Sequence, residues 1–136
     1  MTRTRVLIVE DEAVIAYALK ECLQAAGFEV VGLAATEPMG RHLSARERPH
    51  AAVVDVQLRT GSGLELARSL IEQGTAVLFV TGNGGDSVAG SGLAAAYLEK
   101  PFDAGSIATA VRAAQHLTST GTLPSWAPDR LRRVGS

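Results

Sequence analysis

The chain has 136 residues, of which 46% are hydrophobic and 20% charged, and its formal net charge is −1. This composition excludes a disordered chain, and the near-neutral charge speaks against a broad nucleic-acid footprint. No apolar run approaches the ~20 residues of a membrane helix, and the single cysteine, Cys22, cannot form an internal disulfide, which fits a reducing cytoplasm.

Residues 5–9 (Arg5-Val6-Leu7-Ile8-Val9) are short, apolar and β-branched, and they read as a strand buried on both faces. Val14, Ala18, Leu19, Cys22, Leu23 and Ala26 recur at helical spacing, and Gly27 stops that helix. A second strand covers 28–33, and Thr36 is placed to cap a helix running to about Arg46. After Pro49, a third strand covers 51–54 and ends at Asp55. A loop with Gly61 and Gly63 leads to a third helix over 64–72, closed by Gly74. The fourth strand is 76–80, the fifth is 95–98, and the last helix is expected over 103–116. Five glycines among residues 82–92 predict a fourth helix that is short, late-starting or partly loop, because each costs about 1 kcal/mol in a helix interior. Residues 118–136 read as a tail without an output domain. Leu123, Trp126, Leu131 and Val134 make it more apolar than a free tail, while Arg130, Arg132 and Arg133 read as solvated.

Strands alternating with helices imply parallel strands joined by right-handed crossovers, hence an α/β doubly wound five-stranded sheet with helices on both faces. In such sheets the functional crevice lies at the carboxyl ends of the strands. Strand one ends in Glu10-Asp11-Glu12, strand three in Asp55, strand four in Thr81 and strand five in Lys100. Clustered carboxylates repel one another, and a hard divalent cation with oxygen ligands relieves that repulsion. Mg²⁺ in particular combines a few carboxylates with waters and a phosphate. Asp55 stands alone after its strand and is the candidate nucleophile, whereas Asp11, with acidic neighbours, suits metal binding. Attack by a carboxylate on phosphorus gives an aspartyl phosphate. Lys100 is placed to neutralise the developing charge, and Thr81 to donate a hydrogen bond to a phosphate oxygen.

These residues resemble a known family. Val9-Glu10-Asp11-Glu12, Val53-Val54-Asp55 with Leu58 and Gly63, Val80-Thr81-Gly82 and Tyr97-Leu98-Glu99-Lys100-Pro101-Phe102 are similar to the motifs of the receiver domain of bacterial two-component response regulators, over about residues 4–117. The resemblance implies a flavodoxin-like fold of strand order 2-1-3-4-5, with a receiver domain over 1–117. It implies phosphoryl transfer to Asp55 from a sensor histidine kinase or histidine phosphotransfer protein. Mg²⁺ would be held by Asp11, Asp55 and the backbone carbonyl of Gln57, with Glu10 on a metal-bound water. Thr81 and Tyr97 would form the conformational switch, Tyr97 moving in from a more exposed position, and the Lys100–Pro101 peptide would be cis. The module would bind a downstream protein target, touch neither DNA nor membrane, and catalyse only its own phosphorylation and slow dephosphorylation. Arg59 stands where many members carry proline, which is expected to loosen the loop after Asp55.

Other functions fit the residues less well. A small hydrolase with an aspartyl-phosphate intermediate would place its nucleophile after the first strand with a second Asp two positions on, whereas Gln57 follows Asp55. A flavin carrier would meet repulsion between its phosphate and Glu10-Asp11-Glu12. An unphosphorylated receiver-like scaffold would have no use for an intact acidic site.

Overall fold

A computed structural model describes residues 3–82 and 86–135. The strands are β1 (Arg5–Val9), β2 (Glu29–Ala34), β3 (Ala51–Asp55), β4 (Ala76–Thr81), β5 (Ala96–Glu99) and β6 (Arg132–Arg133). The helices are α1 (Ala13–Ala25), α2 (Glu37–Glu47), α3 (Gly63–Glu72), the single turn α4 (Asp86–Ala89) and α5 (Ile107–Thr120), the last preceded by a 3₁₀ turn at Ala104–Ser106. The sheet order is β2-β1-β3-β4-β5-β6. The first five strands are parallel, and β6 runs antiparallel to β5.

Strand alternation divides the core between the two faces. Val6, Ile8, Val53, Leu78, Val80 and Leu98 pack beneath α1 and α5, against Leu19, Leu23, Ile107 and Val111. Leu7, Val9, Val54, Val77 and Phe79 face α2 and α3, against Leu43, Leu66 and Leu70. Both faces are covered, which is why the strands read as continuous apolar runs. The Thr36 hydroxyl caps α2 by accepting from Met39 N at 3.3 Å, and Ser62 caps α3 by accepting from Glu65 N at 3.2 Å.

The expected five-stranded sheet is corrected to six strands. The extra strand lies in the segment expected to be a tail: Arg133 pairs with Ala96 and Arg132 with Tyr97. Its two exposed arginines carry no apolar alternation, so periodicity gave no sign of it. The flanking residues supply the anchors. Leu131 is 4% exposed and joins the core under α1 and α5, and Val134 is 8% exposed and joins the opposite one. The last helix also continues past the expected His116 to Thr120, because its end is set by Gly121, whose φ of +85° supplies the left-handed cap. The short fourth helix is as expected, while Asn83, Gly84 and Gly85 lie outside the described residues. Among the described residues, no helix is long and apolar enough to cross a membrane.

If the segment after α5 is part of the core, Leu131→Ala lowers stability by about 2 kcal/mol, the low end for a buried leucine. Trp126→Ala, at a half-exposed ring, costs far less. Denaturant unfolding of the two variants makes the comparison, and equal midpoints would show that the segment is not docked.

Candidate functional site

Four strands, β1, β3, β4 and β5, deliver the site. The ladder between β1 and β2 continues one residue past β1, with Glu10 N donating to Ala34 O at 2.9 Å. Asp55 closes β3 in register with Val80, and Val56 N donates to Val80 O at 3.1 Å. Lys100 follows β5, its backbone N donating to Thr81 O at 2.7 Å. The carboxyl ends of β1, β3, β4 and β5 thereby converge on one crevice.

Lys100 spans the acidic groups there. Its Nζ lies 3.0 Å from Glu10 Oε1 and 3.1 Å from Asp55 Oδ2. The remaining carboxylate oxygens take backbone donors. Glu10 Oε2 accepts from Glu12 N at 3.2 Å, Asp55 Oδ1 from Gln57 N at 3.0 Å, and Asp11 Oδ2 from Arg59 N at 2.9 Å. The first two span two residues each and pin the turns that follow β1 and β3. Glu10 and Asp55 are 3% and 4% exposed. Thr81 is buried at the end of β4.

Three carboxylates face the Lys100 ammonium and, 3.7 Å from Asp11 Oδ2, the exposed Arg59 guanidinium, and the imbalance falls on Glu10. Burial pushes its pKa up from 4.5 to about 7, and a hydrogen bond shared with Asp55 pushes the same way, against the Lys100 and Glu12 donors. Burial by itself would lower the Lys100 pKa, but hydrogen bonds to Glu10 and Asp55 outweigh it, and the net shift is upward. Lys100 therefore stays a cation while Glu10 is poised to hold a proton. One oxygen each from Glu10, Asp11 and Asp55 lies within 4.8 Å of the others. An all-oxygen, surplus-negative set of this kind fits a hard divalent cation such as Mg²⁺.

The loop after Asp55 is built around two glycines. A Cβ on Gly63 would overlap the Asp55 carbonyl oxygen, so only glycine lets α3 begin directly against the end of β3. Gly61 has φ +89°, and a side chain there would run into Glu37. Glu37 itself escaped the sequence reading. Its Oε1 accepts from Ser62 N at 2.7 Å, its own N donates to Thr60 O at 3.1 Å, and Arg41 holds its other oxygen at 2.7 Å. The Ser62 amide, followed by Arg41, lowers its pKa. An acidic residue in a first helical turn ordinarily answers the helix dipole, so nothing marked Glu37 as a loop anchor. Arg59 differs from expectation as well. Its backbone N–H ties the loop to Asp11, a bond that a proline could not make.

Tyr97 is buried at 8% exposure, among Phe79, Val88, Leu93 and Val134. The expectation of a more exposed resting ring took no account of Val134, which the sixth strand brings into the same cluster. The Lys100–Pro101 peptide is cis. Beside Lys100, a groove of about 470 Å³ is lined chiefly by Val14, Ile15, Ala18, Leu19, Pro101 and Phe102.

A doubly wound, mainly parallel sheet with a lysine-bridged acidic crevice at the ends of its inner strands defines a flavodoxin-like α/β domain. The model of the response regulator receiver domain family matches residues 6–112, and the chain belongs to that family. It is 32% identical over 114 residues to the transcriptional regulatory protein PdtaR of Mycobacterium tuberculosis, covering 81% of this chain and 56% of that protein. It is 33% identical over 125 residues to the KDP operon transcriptional regulatory protein KdpE of Escherichia coli, covering 89% of this chain and 55% of that one. The chain thus spans about half the length of these curated relatives. Among solved structures, the receiver domain of the Erythrobacter litoralis response regulator PhyR superposes with a TM-score of 0.77 at 26% identity, covering 91% of this chain and 98% of that one.

Glu10 has a measurable consequence. The folded state holds its proton up to about pH 7, whereas the unfolded chain releases it near 4.5. Folding therefore takes up a proton between those values, so Glu10 subtracts stability progressively as pH rises from about 4.5 to 7. Glu10→Gln should remove that slope and gain on the order of 2 kcal/mol relative to the parent between pH 4.5 and 8 in metal-free buffer. Parallel pH–stability curves for parent and variant would contradict the assignment.

Proposed function

We propose that the chain is a phosphorylation-controlled signalling module in which Asp55 accepts a phosphoryl group from a histidine of a sensor histidine kinase or histidine phosphotransfer protein. The observation that carries this reading is Lys100 Nζ bridging Glu10 and Asp55 at the ends of three strands. A buried carboxylate set against a lysine ammonium suits a covalent acceptor that must tolerate added negative charge.

In the transfer step, an Asp55 carboxylate oxygen forms a bond to phosphorus as the phosphorus–nitrogen bond of phosphohistidine breaks. The bonding pair returns to the imidazole, which then takes a proton from solvent. Lys100 shifts from Asp55 Oδ2 toward a phosphoryl oxygen, and Thr81 donates its hydroxyl to another. Asp11, Asp55 and the Gln57 carbonyl would hold Mg²⁺, with Glu10 on a metal-bound water, and the ion would supply charge neutralisation to the transferred group. Glu37 and the Arg59 amide act earlier, by keeping the loop after Asp55 in place.

The phosphohistidine arrives along the α1 face. Val14, 83% exposed, and Tyr17 project from α1 next to the apolar groove that ends at Lys100 and Pro101. That groove supports docking of a partner helix within reach of Asp55. Output passes through Thr81 and Tyr97, as a shift between two packings of the β4–α4 region. The formal net charge of −1 supports a protein as the direct downstream target, rather than nucleic acid, and the reading places the module in the cytoplasm.

Incubated with Mg²⁺ and acetyl phosphate, the protein should gain the mass of one phosphoryl group. The adduct should be acid-stable and base-labile, and Asp55→Asn should abolish it. Asp11→Asn should keep the acceptor but slow labelling at least about tenfold and weaken its Mg²⁺ dependence, as expected on losing one ligand of an incompletely protein-held ion. Intact mass spectrometry over time reads both variants. Labelling that persists in Asp55→Asn moves the acceptor elsewhere.

A further inference from the structure

The sixth strand closes the β5 edge, which lies beside the proposed output residue Tyr97. Arg132 stands in register with Tyr97 and Arg133 with Ala96, and Val134 N donates to Ala95 O at 2.9 Å. The segment is fastened on both faces of the sheet. Leu131 enters the core under α1 and α5, and Val134 enters the cluster that contains Tyr97, Val88 and Leu93. The segment also holds its own shape. Leu131 N donates to Pro128 O at 3.0 Å, and the Arg132 guanidinium donates to the carbonyls of Asp129 and Leu131 at 2.6 and 3.2 Å.

We propose that residues 128–134 are an internal strand lock. In the resting protein they occupy the β5 edge against Tyr97, and phosphoryl transfer to Asp55 releases them, opening that edge to a partner strand. The proposal rests on the reading of Asp55 as acceptor. Its mechanical part follows from connectivity. Lys100 directly follows β5, its Nζ sits on Asp55, and its backbone N is bonded to Thr81 O. New phosphoryl oxygens draw Lys100 and Thr81 toward Asp55, so the carboxyl ends of β4 and β5 move together. Tyr97 lies three residues before Lys100 on β5 and carries the displacement to Val134, its neighbour in the same cluster. α4 is a single turn, so the cover over this side of Tyr97 is shared with the lock itself.

The hold is suited to release. A two-residue ladder with one anchor per face belongs to the low-stability end of a fold, where local opening precedes global unfolding. An exposed strand edge pairs readily with another extended chain. The same contact that keeps the resting edge closed therefore determines when it becomes available.

Amide exchange of the full chain, followed by mass spectrometry, tests the lock, with Mg²⁺ and beryllofluoride as the phosphoryl mimic. A parallel ¹⁹F spectrum reports whether the mimic is bound. Peptides covering 129–135 should exchange about tenfold faster with the mimic bound, the effect of weakening one buried anchor of a local opening unit. Asp55→Asn should show no change. Val134→Asp should give the fast exchange without the mimic, while α5 peptides stay protected and the far-ultraviolet spectrum stays that of the parent. Unchanged or slower exchange of 129–135 alongside a bound ¹⁹F resonance overturns the lock and leaves the acceptor reading standing. Protection that persists in Val134→Asp also overturns it. Absence of a bound resonance overturns the acceptor reading and the lock with it.

Discussion

The ammonium of Lys100, held between Glu10 and Asp55, is the interaction on which the rest of this structure depends. Two nearly inaccessible carboxylates with a third beside them would be costly to keep charged in a protein interior. Lys100 offsets part of that cost, and the upward shift of Glu10 to about 7 measures what is left uncompensated. The arrangement is thus a stored demand for positive charge. It suits a hard divalent cation.

Keeping this demand in place is the task of the fold. Parallel strands covered on both faces bring the carboxyl ends of β1, β3, β4 and β5 to one crevice. Gly63 lets α3 start against the Asp55 carbonyl, and Glu37 grips the loop between them from α2. Lys100 belongs to the site through its side chain and to the sheet through its bond to Thr81. Asp55 is thereby linked through Lys100 to the ends of both β4 and β5. The sixth strand then ties the outer edge of β5, and Tyr97 with it, to the end of the chain.

Much of this was legible in the residue pattern. Short apolar runs ending in Glu10-Asp11-Glu12, Asp55, Thr81 and Lys100 locate the strands and the crevice together, because parallel sheets put their chemistry at strand ends. Thr36, Gly27 and Gly74 mark helix boundaries by local chemistry alone. What was not legible depends on contacts distant in sequence. Arg132 and Arg133 carry no strand signal, and only the docking of Leu131 and Val134 makes them one. Val134, brought in by the same docking, joins the buried cluster that holds Tyr97. Arg59 read as a loosened loop because a departure from proline suggests freedom, whereas its amide gains a bond to Asp11. Glu37 looked like a helix-start acid because its loop partner, Ser62, lies 25 residues away.

The most direct test of the central claim is a crystal structure of the protein with Mg²⁺ and beryllofluoride. Beryllium should be bonded to an Asp55 carboxylate oxygen, and Lys100 Nζ should have left Asp55 Oδ2 for a fluoride. Mg²⁺ should lie about 2.0–2.1 Å from oxygens of Asp11, Asp55 and the Gln57 carbonyl. A structure in which Lys100 still bridges Glu10 and Asp55 while the mimic binds elsewhere, or in which Mg²⁺ avoids this cluster, would contradict the account.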